Sequence, residues 1–276
     1  MKDRSRLWDG TLIVGGIVLA GLTLKTYRVF DAPSGRPSDN RISSEEATST
    51  ISSAKSFLNS NPESFNAWSQ LAIAYYYKGP DYYADGLNAL EKARSLGATS
   101  ETLFYYGGVM YEALGLPEYA MNELSKYLRH HPEDYETQIR LANLLAQQKR
   151  VDDAYKLYGK LSERWPHDAT LWFNFGIVSK DKGDLDGALA CFNKVLKLAK
   201  ELPEGGLYQE GEVARLKGSD DQAISFYQQE LKSHPRYLPA LSALEAAQRR
   251  KSLWKEARET RQKIAEVKLS SSTSSK

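Results

Sequence analysis

At 276 residues, with 41% apolar and 26% charged side chains, the chain has the composition of an ordinary globular protein. Its formal net charge of +2 argues against a sequence-independent nucleic-acid binder, which needs a clustered basic surface to neutralise phosphate. The single cysteine, Cys191, excludes an internal disulfide and any site built from several thiolates.

The chain begins with a basic flank (1–10) containing Lys2, Arg4 and Arg6. The stretch Thr11 to Leu24 carries no charge but is only 14 residues long, short of the roughly 20 that cross a hydrocarbon core. Trp8 and Tyr27 bracket a longer window at positions suited to the two interfaces, and Lys25 can snorkel along its own stem. No A-x-A cleavage pattern follows the apolar run, so residues 11–29 read as an uncleaved, single-pass transmembrane anchor. Lys25, Arg28 and Arg36 nearly balance the basic residues before the span. The expected topology puts the bulk of the chain outside the cytoplasm, in the periplasm if the source is bacterial. Residues 30–44, rich in Pro, Gly, Ser and charge, read as a flexible linker. Residues 45–60 read as a capping helix with Ala54 and Phe57 on its packing face.

From residue 65 to 267 the chain repeats itself. Ala120, Ala154, Ala188, Ala223 and Ala257 are spaced by 34, 34, 35 and 34 residues. Gly108, Ala142, Gly176 and Gly211 step by 34, 34 and 35, and Pro132 and Pro166 lie 34 apart. Each unit is two amphipathic helices, neither of which buries its apolar face alone. Small residues at two fixed places let the paired backbones approach. Trp68, Trp172, Tyr158 and Phe192 are expected to fill the wedge between hairpins, and the prolines end the second helices.

Period and residue types resemble the tetratricopeptide repeat, with a large residue at repeat position 4, Leu at 7, Gly or Ala at 8, Ala at 20, an aromatic at 24 and Pro at 32. Five recognisable units begin at Phe65, Glu101, Tyr135, Ala169 and Glu204, and a degenerate sixth at Leu238. The first carries two extra residues in its turn (GPDYY), and the fourth has Lys200 where Pro is usual, with Pro203 beyond. The resemblance implies an all-α, right-handed α-solenoid of stacked antiparallel hairpins that binds proteins. The basic run over 245–268, including Arg249, Arg250, Lys251, Lys255 and Arg258, reads as a solvated cap, and 268–276 as a disordered tail.

The resemblance also implies that positions 2, 5, 9 and 12 of the first helices line a groove. Here they are Tyr76, Tyr105, Val109, Glu112, Ile139, Asn143, Phe173, Ile177, Tyr208, Glu212 and Arg215. Position 5 reads Tyr105, Ile139, Phe173, Tyr208, an apolar row that invites a peptide or an amphipathic helix of a partner. Replacing Tyr105, Phe173 and Tyr208 together is expected to leave helicity intact. A carboxylate clamp is not expected: Asn143 and Asn174 occupy its asparagine places, but its cationic places hold Ile139, Gly205 and Gln209.

Catalysis is not expected either. His130, His131, His167 and His234 are spread along the array and cannot converge on one ion, no nucleophile or phosphate-loop motif occurs, and Cys191 packs. Asp152–Asp153 and Asp220–Asp221 suit helix N-termini. No cofactor or metal is called for. The expectation is a membrane-tethered scaffold for a protein partner, the alternative being a homo-oligomer built by end-to-end stacking.

Overall fold

The computed structural model describes residues 42–199 and 203–273. The anchor expected at 11–29, and the linker apart from its last three residues, lie outside them. No helix among the described residues is long and apolar enough to cross a membrane. Thirteen α-helices and one 3-10 turn make up the described residues, which contain no strand.

The helices form two compact units, the first ending at Arg150 and the second beginning at Val151. The first holds α1 (Ser44–Ser60), α2 (Phe65–Lys78), α3 (Tyr83–Ser95), α4 (Thr102–Ala113), α5 (Pro117–His130) and α6 (Tyr135–Gln147). The second holds α7 (Val151–Arg164), α8 (Ala169–Lys182), α9 (Leu185–Leu198), α10 (Gly206–Leu216), α11 (Asp220–Ser233), α12 (Leu238–Arg250) and α13 (Trp254–Thr273). Consecutive helices pair as α2–α3 and α4–α5 in the first unit, and as α8–α9, α10–α11 and α12–α13 in the second.

Local chemistry sets the helix starts. Ser64, Asp134 and Asp168 cap α2, α6 and α8 by accepting a backbone N–H three residues on, and Asp184 does so for α9. Ser43 and Glu46 form a reciprocal capping box on α1. The helix therefore begins at Ser44, inside the expected linker. Its buried face is Ala47, Ala54 and Leu58, while Phe57, expected to pack, is 52% exposed. Beyond the other ends, Pro132, Pro166 and Pro235 follow α5, α7 and α11 within two residues. The two extra residues of the first hairpin are absorbed by the 3-10 turn Pro80–Tyr82, whose Tyr82 ring stacks on Tyr75.

The small residues do what their spacing requires. Ala72, Ala120, Ala142, Ala154, Ala188 and Ala223 are fully buried. Side chains at position 24 seat on the position-8 glycine of their own hairpin, Leu124 on Gly108, Phe192 on Gly176 and Tyr227 on Gly211. Trp68 and Trp172 are only half-buried, and their indole N–H groups donate to the carbonyls of Pro62 and Pro166 at 2.8 and 2.9 Å. They thus pin the loop that enters their own hairpin, a role beyond the wedge-filling expected of them.

In the second unit, cations late in or just after one helix reach the opening acids of an earlier one: Lys182 to Asp152, Lys217 to Asp186, Arg250 to Asp220 and Lys251 to Asp221. The acidic pairs thus serve inter-hairpin bridges as well as helix starts. Each such surface pair contributes at most about 1 kcal/mol. α13 continues to Thr273, so Leu269 to Thr273, expected in the tail, is helical.

Candidate functional site

In the first unit, Arg140 on α6 interacts with the groove residues Tyr76, Tyr105 and Glu112 of α2 and α4. Its Nη1 donates to Glu112 Oε2 at 2.6 Å and its Nη2 lies 3.5 Å from Glu136 Oε1. Burial opposes the guanidinium charge, but Glu112 more than offsets it and raises the Arg140 pKa. Arg140 Nε is buried without a hydrogen-bond partner. Five tyrosines pack on one another in this unit, and of them Tyr76, Tyr83 and Tyr105 interact electrostatically with Arg140. Tyr76 sits 4.8 Å from Tyr106 and stacks on Tyr83 at 6.0 Å, while Tyr105 and Tyr106 meet edge to face at 5.8 Å. Tyr77 and Tyr106 share a hydroxyl contact of 3.3 Å, and the Tyr105 hydroxyl donates to Glu136 at 3.2 Å. Burial pushes the Tyr76 phenol up to about 12, so it stays a neutral donor at physiological pH.

In the second unit the groove positions lie on α8 and α10. Glu212 accepts from Arg215 at 2.9 Å and from the Tyr227 hydroxyl at 2.6 Å. Burial works against its charge, yet these two donors hold its pKa below the usual carboxylate range. Tyr208 stands between Tyr227 and Tyr237, at 5.9 and 5.6 Å. Lys180 donates to Gln209 at 2.5 Å, with burial lowering its pKa.

Exposure divides the expected groove residues into two groups. Tyr105, Ile139, Asn143, Phe173 and Ile177 are buried, at 5, 2, 5, 6 and 1% exposure. Tyr76, Val109, Glu112, Tyr208, Glu212 and Arg215 are half-buried. The position-5 row is therefore mostly core, not an exposed stripe. Tyr105 packs on Tyr127, and Phe173 packs on Phe192 of its own hairpin. Replacing Tyr105 and Phe173 would cut into the hairpins themselves, contrary to the expectation of intact helicity. The charged members are already paired within the chain. Each face thus offers neutral rings and ions paired within the chain, a surface suited to apolar and hydrogen-bonding contact.

Three of the four histidines make local contacts within the fold. His130 and His131 approach Glu101, His131 stacks on Tyr127, and His234 bonds Glu230 at 2.7 Å. Among the described residues no three potential ligands converge on a metal position. Cys191 is 4% exposed, and burial pushes its thiol up to about 12, the condition of a packing residue.

Residues 139–203 match the family model described as tetratricopeptide repeat. Solved structures share the fold. YrrB, described as a TPR protein with an unusual peptide-binding site, is 20% identical with a TM-score of 0.59, over 70% of this chain and 98% of that one. MamA from Desulfovibrio magneticus is 20% identical with a TM-score of 0.56, over 62% of this chain and 96% of that one. Among curated proteins, FlbA of Caulobacter vibrioides is 29% identical over 150 residues, 54% of this chain. The chain covers about a quarter of that relative's length, 24%. Residues 139–203 thus match the tetratricopeptide model, the described residues share the all-α helical fold of these structures, and nothing in them shows enzymatic activity.

Three functional-looking side chains escaped the sequence pattern. Arg140 organises the first unit's face. Glu230, completely buried, accepts the backbone N–H groups of Gly205 and Tyr208 at 2.8 and 3.2 Å and so anchors the start of α10. Glu210 is 3% exposed and faces a pocket between α9, α10 and α11.

Proposed function

We propose that the protein is a membrane-tethered tetratricopeptide scaffold that holds a peptide or amphipathic helix of a partner protein on its first-helix faces. The observation that carries this reading is the first unit's face. There half-buried Tyr76 and Tyr83 lie within electrostatic reach of Arg140, whose pair with Glu112 needs no outside charge. Rigid rings with polar tips give contact area at little entropic cost, while ions already paired within the chain favour an uncharged stretch of partner over a terminal carboxylate. The peptide-binding site named for YrrB, a neighbour in fold, is consistent with such a use.

Photo-crosslinking residues placed at Tyr76 and Val109, with Asn122 on the exposed side of α5 as control, test the face. Crosslinks confined to the first two positions support it. Equal crosslinking at Asn122 would place the contact elsewhere. The tether at residues 11–29, with the repeats outside the cytoplasm, is a separate part of the proposal. Alkaline extraction should leave the full chain in the membrane fraction and release a chain starting at residue 42. Release of both would remove the tether from the proposal.

A further inference from the structure

The two units each bear a surface pocket in the same repeat register. In the first, of about 460 Å³, Glu91 on α3 and Glu123 on α5 flank Arg94, which pairs with both and lies over the Phe104 ring at 5.2 Å. Lys126 pairs with Glu123 from the opposite side at 2.9 Å. Gly107, at repeat position 7, makes the room: a Cβ there would come within 3.3 Å of Glu123. The resident occupant of this pocket is a basic side chain held between carboxylates and an aromatic face.

The pocket of the second unit, about 450 Å³, is lined at the corresponding places by other chemistry. Position 7 is Glu210, and the places of Glu123, Lys126 and Arg94 are taken by Phe226, Gln229 and Leu196. An acid and an aromatic ring are present, and both cations are gone. Glu210 Oε1 is buried with no hydrogen-bond partner among the described residues. Lys217, the one cation of the lining, is engaged with Asp186 at 2.5 Å. The rim carries Gln222, Ser225, Gln229 and Asn193, which can bond the backbone of an extended chain.

We propose that this pocket receives an arginine or lysine side chain of a polypeptide partner, with Glu210 as its counter-charge, Phe226 against its stem and the amide rim holding the flanking backbone. The site lies among α9, α10 and α11, on residues that the groove positions do not include. It supplies from outside the cation that Arg94 supplies from within. Burial alone pushes the Glu210 carboxyl up to about 7, consistent with an acid lacking its partner. A charge-assisted bond to it gains most in such a place.

The test uses the full chain, the peptide acetyl-Gly-Ala-Arg-Ala-Gly-amide, its citrulline counterpart and spermidine, with the Glu210 carboxyl followed by carbon NMR. The arginine peptide should lower the Glu210 titration midpoint by at least about one unit, and the citrulline peptide should not. Glu210→Gln should weaken the arginine peptide about tenfold or more. Leu196→Arg should lower the midpoint without any peptide and block peptide binding, with helicity checked in both variants. The proposal is overturned if the two peptides act alike, if spermidine matches the arginine peptide, or if the midpoint of the unliganded chain already stands at an ordinary carboxylate value.

Discussion

Tyr227 presses on Gly211 so closely that a Cβ on the glycine would lie 2.4 Å from Tyr227 Cε1. The same contact recurs as Phe192 on Gly176 and Leu124 on Gly108, each at 2.5 Å. The glycine is there for room, not for backbone freedom. Gly211→Ala should therefore destabilise the α10–α11 hairpin by about 1–3 kcal/mol, although alanine is the better helix former. Gly159, on α7, has only Phe175 within reach, at 3.9 Å. Gly159→Ala should gain about 0.5–1 kcal/mol. Thermal melts of the two variants should move in opposite directions, and a shared direction would mean the contact does not set the glycine.

These contacts explain how much was legible in the sequence. A column of Gly and Ala every 34 residues reports backbone approach directly, because only a small residue fits. The acids at Glu210 and Glu230 are legible too, as exceptions in their columns. Glu210 stands where Leu71, Leu141 and Leu244 stand, and Glu230 where Ala93, Tyr127, Leu161 and Val195 are buried. Arg140 is not, since its column holds Gln70, Tyr106, Asn174 and Gln209, with no pattern to break. The groove is less legible for a similar reason. An apolar residue at position 5 satisfies a surface stripe and an interhelical contact equally, and periodicity cannot separate them. Burial assigns Tyr105, Ile139 and Phe173 to the core.

Glu230 holds two backbone N–H groups at the start of α10, where Gly205 adopts φ +83° and no side chain of its own provides a cap. Glu230→Ala would strand both donors inside the protein. A loss of about 2–4 kcal/mol is expected. Hydrogen exchange at the Gly205 and Tyr208 amides should accelerate more than at amides of α8. Uniform acceleration would indicate global loosening instead of a lost anchor.

The Arg140–Glu112 pair makes a different prediction. Removing one partner leaves a half-buried, uncompensated charge, so Arg140→Met alone should cost about 3 kcal/mol. Arg140→Met combined with Glu112→Leu should cost clearly less than the single change, because neither charge remains. Equal stability of the single and double variants in urea unfolding would show that the pair is not coupled.

Glu210 makes stability depend on pH. Its carboxyl is raised by burial from an ordinary 4.5 to about 7, so between these values the folded chain binds a proton that the unfolded chain has released. Stability from this group is full below about pH 4.5 and is lost as pH rises through 7. At about 1.4 kcal/mol per unit the whole shift would be worth roughly 3 kcal/mol. The pocket opens to solvent, which screens the charge and reduces the effect between pH 5.5 and pH 8 to about 1–2 kcal/mol. Other groups titrate in the same range, so the quantity to measure is the difference between the unaltered chain and Glu210→Gln. The glutamine keeps shape and neutrality at every pH. Relative to it the unaltered chain should weaken as pH rises from 5.5 to 8. A difference that stays constant would mean Glu210 is already ionised at the lower pH, and that its charge is compensated inside the fold.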